Sequence, residues 1–235
     1  MANHQVFFLV YLLTALATLH GSSAVDYTAA NEVPTTPGGT VFDNELGVEY
    51  TRQQMDSASQ FIWNLFQQSD PASRKNVQSV SLFIVDNLNP NAVAVTSNNN
   101  INVSAKSMEG LTGDQLKRSF NGVLYHEMAH VWQWNGNGQQ GDGNLGGLIE
   151  GIADFVRLKA DYVPDVWARP GDGEHWYEGY SVTARFLDYC EGLKSGFVAE
   201  LNGKLRDGYS PDFFFQILGK TVDQLWTDYK NQPRN

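Results

Sequence analysis

The sequence predicts an α+β protein in which a strand-bearing N-terminal lobe and a helical C-terminal lobe flank one long central helix. Three short apolar runs follow one another between residues 77 and 105, as in a small sheet. Apolar residues at helical spacing dominate the second half of the chain. A Gly-, Asn- and Gln-rich stretch at residues 136–146 separates the expected lobes, which span residues 25–135 and 147–235.

The composition is that of a globular protein, with 42% hydrophobic and 18% charged residues. The formal net charge of -10 argues against nucleic acid as a partner, because phosphate binding requires clustered Lys and Arg. The same charge disfavours adsorption to anionic lipid. Cys190 is the single cysteine of the sequence, so no intrachain disulfide is expected, and its apolar neighbours indicate a buried thiol.

Residues 1–24 have the pattern of a secretory signal peptide. An apolar run from Val6 to Leu19 precedes the small residues Ser22-Ser23-Ala24, which form a cleavage pattern. A membrane anchor is the alternative, but the run is short for a spanning helix. We therefore expect a secreted, extracellular (apoplastic) protein that has no membrane contact after cleavage and forms a single domain over residues 25–235.

The N-terminal lobe is expected to begin with an irregular lead-in at residues 26–40, because this stretch contains two prolines and a Gly-Gly pair. Apolar residues at helical spacing predict an amphipathic helix over residues 51–66. Strands are predicted at residues 77–85, 92–96 and 101–105. Asn102 begins an Asn-Val-Ser sequon, so an N-glycan at Asn102 is a further hypothesis.

The central helix is expected to begin at Thr112, which forms a capping-box pattern with Gln115, and to end at Asn135-Gly136. Further helices are predicted at residues 148–162, 176–193, 196–206, 211–218 and 221–230. The second half is therefore almost entirely helical.

The central helix carries the sequence His126-Glu127-Met128-Ala129-His130. Residues four apart lie on one face of a helix, so both imidazoles can reach one metal ion. Glu127 can then act as a general base beside the open coordination position. By itself this short motif is a moderate signal, because it recurs by chance.

A second element strengthens the metal hypothesis. Glu150 and Asp154 are again four apart on a helix that is otherwise apolar, where two carboxylates are costly without a cation. We interpret Glu150 as the third metal ligand and Asp154 as an acceptor for the far N–H of a ligating histidine. Two histidines and one glutamate favour zinc, although the spacing leaves cobalt and manganese open.

This ligand set predicts hydrolysis by an activated water, with Glu127 accepting its proton and delivering it to the leaving amine. A hydrogen-bond donor for the developing oxyanion is also needed. The segment 175–180 offers three candidates that the sequence does not rank: His175, Tyr177 and Tyr180.

Three strings resemble the plant basic secretory protein family, whose members are zincin-like peptidases of plants and bacteria associated with pathogenesis-related responses. They are HEMAHVWQWNG at 126–136, GGLIEGIADFVRL at 146–158 and WYEGY at 176–180. The Glu-x-x-x-Asp element is similar to that of thermolysin-like peptidases, which implies the same roles for Glu150 and Asp154. Gln133 and Gly136 stand where the metzincin pattern has glycine and a third histidine. The acidic charge departs from the family name.

We therefore expect a secreted zinc endopeptidase of zincin-like architecture that cleaves protein or peptide substrates, with a role in plant defence. The strand at residues 101–105 is expected to edge the cleft and to pair with an extended substrate. Two alternatives remain open at this point: a secreted defence-related binding protein with a zinc site and little catalysis, and a zinc hydrolase of non-peptide substrates.

Overall fold

A computed structural model describes residues 25–139 and 143–233. The predicted signal peptide at residues 1–24 and the tip of the predicted interlobe loop at residues 140–142 lie outside the described residues. The described chain is mixed α+β, with four strands: β1 (Asp26–Asn31), β2 (Ser79–Val85), β3 (Ala94–Ser97) and β4 (Asn100–Ser104). Its eight α-helices are α1 (Pro37–Glu45), α2 (Gly47–Leu65), α3 (Gly113–Trp132), α4 (Gly143–Lys159), α5 (Tyr180–Leu193), α6 (Phe197–Lys204), α7 (Asp212–Leu218) and α8 (Val222–Lys230).

The four strands form one sheet in the order β1-β2-β4-β3. The β1-β2 and β2-β4 pairs are parallel, and β3 is antiparallel to β4. This order corrects the expectation that the strand at residues 101–105 edges the cleft, because that strand is β4 and has neighbours on both sides. The edge strand on the cleft side is β3. A hairpin folds it back outside β4, and residue spacing does not reveal that strand order.

The predicted irregular lead-in at residues 26–40 is wrong. Its first part is strand β1, which pairs with β2 from Asp26↔Ser79 to Asn31↔Ile84. Its second part begins α1, where Thr36 caps the helix and Pro37 occupies the first turn, a position that tolerates proline. Gly38 allows close packing, because a Cβ there would lie 1.9 Å from the carbonyl oxygen of Ala105. Local composition does not reveal these long-range contacts.

Helix α3 lies against the sheet and is largely buried, with Leu116, Leu124 and Met128 in the core. Thr112 is its N-cap residue, as expected, but its side chain makes no capping hydrogen bond, so the predicted capping box is wrong. The first backbone N–H is satisfied differently: the amide of Gly113 donates to Glu45 Oε2 at 2.6 Å. The helix also ends earlier than predicted, because Gln133 adopts an extended backbone.

The predicted helices of the second half are all present, with shifted ends. Helix α4 begins at Gly143, inside the predicted interlobe loop, and α5 begins at Tyr180 rather than residue 176. Two glycines bring α4 close to its neighbours: a Cβ at Gly151 would lie 2.2 Å from Thr183 Cγ2, and one at Gly147 would lie 1.8 Å from the carbonyl oxygen of Tyr177. Helix α4 packs against α3 on one side and α5 on the other.

None of the helices in the described parts of the chain combines the length and the apolar character that a membrane span requires. Cys190 is buried and unpaired with another cysteine, as predicted.

Candidate metal centre

Two histidines of α3 bring their Nε2 atoms together at the cleft. His126 and His130 are one helical turn apart, and their Nε2 atoms are separated by 3.1 Å. Their rings are nearly perpendicular, at 83°. Both side chains are largely buried, with 10% and 17% of their surface exposed. The predicted pairing of the two imidazoles on one helix face is confirmed.

Helix α4 supplies a carboxylate to the same point. Glu150 Oε2 lies 3.2 Å from His126 Nε2 and 3.5 Å from His130 Nε2. His126, His130 and Glu150 therefore form a group that could hold a metal ion, as the sequence predicted. The group joins two antiparallel helices, so its geometry depends on the close packing of α4 rather than on the α3 motif alone.

Asp154 lies one turn further along α4 and contacts the other side of His126. Its Oδ1 atom is 2.8 Å from His126 Nδ1, and both side chains are buried. Burial alone would lower the pKa of His126, but hydrogen bonds to Asp154 and Glu150 raise it to about 9. Conversely, burial raises the pKa of Glu150, but hydrogen bonds from His126 and His130 lower it to about 2. The site thus stabilises positive charge, which suits a cation.

Gln133 contacts the outer nitrogen of His130, a contact that the sequence reading missed. Its Nε2 lies 2.7 Å from His130 Nδ1 and donates to the carbonyl of Ile149 at 3.2 Å, while its Oε1 is buried without a partner. Ligation of a metal through His130 Nε2 would leave Nδ1 as an N–H donor. Gln133 Oε1 can accept that N–H only if the amide turns over and gives up its hydrogen bond to Ile149.

Glu127 lies beside the group, on the side of the sheet edge. The hydroxyl of Thr96, on β3, donates to Glu127 Oε2 at 2.6 Å and lies 3.3 Å from the Glu127 carbonyl oxygen. Glu127 is 6% exposed, so little water reaches its side chain and the Thr96 hydroxyl takes the place of a water donor. The sequence reading missed Thr96. A threonine in an apolar strand does not by itself indicate a contact with the site, because this contact depends on β3 being the edge strand.

The three candidate oxyanion donors lie in different environments. The Tyr180 ring stacks on His126, with ring centroids 5.9 Å apart and planes at 10°, and it lines the cleft. The negative charge of Glu150 raises the pKa of Tyr180, and burial and the charges of Asp154 and Glu127 add to the effect, so its hydroxyl stays a donor. His175 and Tyr177 instead stack on each other and are not among the described residues that line the cleft.

The backbone at Tyr180 is unusual. Its φ is +45°, a left-handed value that is uncommon for a bulky residue. The preceding turn is held by Thr183, whose hydroxyl accepts from the Gly179 amide at 2.8 Å and donates to the Trp176 carbonyl at 2.7 Å. Such strain persists where the surroundings fix it, and it frequently marks functional sites.

One cleft of about 1050 Å³ is lined by the ligand group, Glu127, Asp154 and Tyr180. Strand β3 forms one wall, where Val95 is 44% exposed, and α3 and α4 form the floor. The sequon residue Asn102 lies on β4, paired with Phe83 and Val95, and is partly exposed; its glycosylation stays a prediction.

The fold and the site define a mixed α+β protein with a His-His-Glu group able to hold a metal ion in an open cleft. Residues 22–229 match the family model BSP, described as peptidase of plants and bacteria, and the chain belongs to this family. The chain is 49% identical over 55 residues to a basic secretory protease of Boswellia serrata. That alignment covers 23% of this chain and 61% of that protein. No solved structure matches the chain.

Proposed function

We propose that this protein is a secreted zinc-dependent endopeptidase in which His126, His130 and Glu150 hold the metal and Glu127 is the general base. The observation that carries the proposal is the convergence of the three ligand atoms next to Glu127 in an open cleft. The family description as peptidase and the name of the Boswellia relative support the reaction class and secretion. The role in plant defence stays a prediction.

The distances are close to those around a small tetrahedral metal ion, and the ligand types favour zinc. Ligand atoms at the corners of a tetrahedron, with zinc bonds of about 2.0–2.2 Å, are separated by about 3.3–3.6 Å. The three separations in this site are 3.1, 3.2 and 3.5 Å. Two imidazoles and one carboxylate form a ligand set found in catalytic zinc sites, which keep the fourth position open.

When bound, a zinc ion supplies a Lewis acid that polarises the scissile carbonyl and activates water near neutral pH. Glu127 accepts the proton of the attacking water and returns it to the leaving amine. The Thr96 hydroxyl holds Glu127 Oε2, so Oε1 is the oxygen that we assign to this proton transfer. The Tyr180 hydroxyl is the best supported of the three candidates as donor to the developing oxyanion, because it lines the cleft beside His126.

Strand β3 offers a way to bind the substrate backbone. It pairs with β4 on one side, and its other edge lies along the cleft. An extended peptide can add to such an edge through main-chain hydrogen bonds, which align the chain without regard to its side chains. A strand edge along a cleft of this size suits cleavage within an unfolded chain.

The direct test is hydrolysis of an unfolded protein by the zinc-loaded wild type and by Glu127→Gln. The substitution keeps the size of the side chain and all proposed ligands, but it removes the base. Cleavage by the wild type that collapses in the variant is expected. Equal cleavage by both proteins, or none by the zinc-loaded wild type, would refute the proposal, and the second result would favour the binding-protein alternative.

A further inference from the structure

A second charged feature of the cleft lies beyond the metal centre. Arg157 lines the cleft together with Ser119 and Val123 of α3. It is seven residues after Glu150 on α4, which corresponds to about 10 Å along the helix axis. The cleft thus has a cation about one helical turn beyond Asp154 and two turns beyond Glu150 on α4.

The guanidinium of Arg157 is fixed in place. Its Nε–H donates to the carbonyl of Tyr162 at 3.1 Å, and its Cζ lies 5.6 Å from the centroid of a Trp167 ring. It packs directly on the backbone of α3 at Gly122, where a Cβ would lie 2.8 Å from Nε and 2.9 Å from Nη2. The absence of a side chain at Gly122 therefore makes the space that the guanidinium occupies.

This cation has no carboxylate of its own. The ion pairs among the described residues, defined by N–O distances up to 4.0 Å, do not include Arg157. Burial lowers the pKa of Arg157, which the charge of Asp154 partly offsets. A partly desolvated guanidinium that keeps several N–H donors and lines a cleft is suited to bind a carboxylate, often with two parallel hydrogen bonds.

We propose that Arg157 is a carboxylate-binding residue of the cleft and determines substrate preference. An extended peptide advances about 3.3 Å per residue, and Arg157 lies about 10 Å beyond Glu150 along α4, so its guanidinium is within reach of a substrate group up to about three residues from the scissile bond. The preferred substrates therefore carry a carboxylate within that distance, either as an acidic side chain or as a free C-terminus. This proposal rests on the proposed function, because the position of the scissile bond is defined only if the protein is a peptidase.

The test measures peptide binding to zinc-loaded Glu127→Gln, so that no turnover is required. Blocked hexapeptides carry one Glu, or its isostere Gln, at each position in turn, and a second set with neutral side chains ends in a carboxylate or an amide. The Glu and Gln peptides show whether Arg157 binds an acidic side chain, and the second set shows whether it binds a free C-terminus. A charge-assisted hydrogen bond predicts binding about tenfold to a hundredfold tighter for the carboxylate member of the preferred pair.

Adding Arg157→Met to the same background should bring that ratio to about one and leave the neutral peptides unchanged. Arg157→Lys should keep part of the preference, because it keeps the charge but loses the fork. Equal binding of carboxylate and neutral peptides by the parent protein would overturn the proposal, whether or not the Arg157 variants fold. Binding of no peptide, or a preference that persists in a folded Arg157→Met protein, would also overturn it.

The outcome is separable from the proposed function. If the zinc-loaded wild type hydrolyses none of the peptides while the carboxylate preference and its loss in Arg157→Met are observed, the endopeptidase proposal fails and the carboxylate subsite stands.

Discussion

The contact between Asp154 and His126 gives a quantitative prediction about metal binding. Asp154→Asn keeps the size of the side chain but removes its charge and one of the two equivalent acceptor oxygens. The wild-type contact is 2.8 Å long, and the Asp154 side chain is 4% exposed. It is therefore a buried, charge-assisted hydrogen bond, a type worth about 1.5–3 kcal/mol.

The expected consequence is a weaker metal site in a folded protein. At about 1.4 kcal/mol per tenfold change, the loss of this bond corresponds to a zinc affinity about tenfold to a hundredfold lower. That range agrees with the effect typical of replacing residues that orient metal ligands. The reason is that Asp154 holds the His126 ring in the tautomer and orientation that direct Nε2 to the metal.

The assay is a competition titration of zinc against a chromophoric chelator for the wild type and Asp154→Asn. Asp188→Asn is the matched control, because Asp188 is a helical aspartate that pairs with Lys159 at the surface. We expect wild-type affinity in the control. An affinity of Asp154→Asn within twofold of the wild type, in protein that unfolds at the wild-type temperature, would refute the role of Asp154.

Three further predictions follow from the same geometry. Thr96→Val should lower kcat about tenfold or more with little change in KM, because Glu127 loses a hydrogen bond to its charged group, while Thr96→Ser restores it; equal kcat in the Val and Ser variants would contradict this. Gly147→Ala should destabilise the protein by about 1–3 kcal/mol in urea unfolding, because its Cβ has no space. Gly146→Ala is the control and should not destabilise the protein in this way, because a Cβ at Gly146 meets nothing within 4 Å. Equal urea midpoints for the two alanine variants would contradict the packing argument. Because the folded pKa of His126 is raised from 6.5 to about 9, metal-free protein gains a stabilisation that is complete below pH 6.5 and lost as the pH rises through 9. The Tm of the metal-free protein should therefore fall as the pH rises over that range, which thermal scans in the presence of a chelator would measure. An unchanged Tm would contradict the inference that His126 is protonated in the metal-free protein.

The ligand group could be predicted from the sequence because its parts are local. His126 with His130, and Glu150 with Asp154, are pairs of residues four apart, and the helical period alone directs each pair to one face. That the two faces meet could be inferred only from the cost of leaving carboxylates in an apolar helix. Helix α4 is also packed from its other side, where Gly147 approaches Tyr177 and Gly151 approaches Thr183, and these contacts are visible only once α5 is in place.

The surroundings of the ligands could not be predicted because they depend on contacts distant in the chain. Thr96 reaches Glu127 only because β3 folds back to the sheet edge, and local patterns do not encode strand order. Strand β1 was missed for the same reason, since its partner β2 is about fifty residues away. Arg157 was missed because its position against Gly122 belongs to the packing of two helices.

The central claim is that His126, His130 and Glu150 hold one zinc ion. It is tested most directly by elemental analysis of the purified protein after dialysis, for the wild type, Glu127→Gln and His130→Ala. The account predicts one zinc per chain in the wild type and in Glu127→Gln, and a large loss of zinc in folded His130→Ala. No stoichiometric metal in the wild type, or full retention of zinc in His130→Ala, would contradict it.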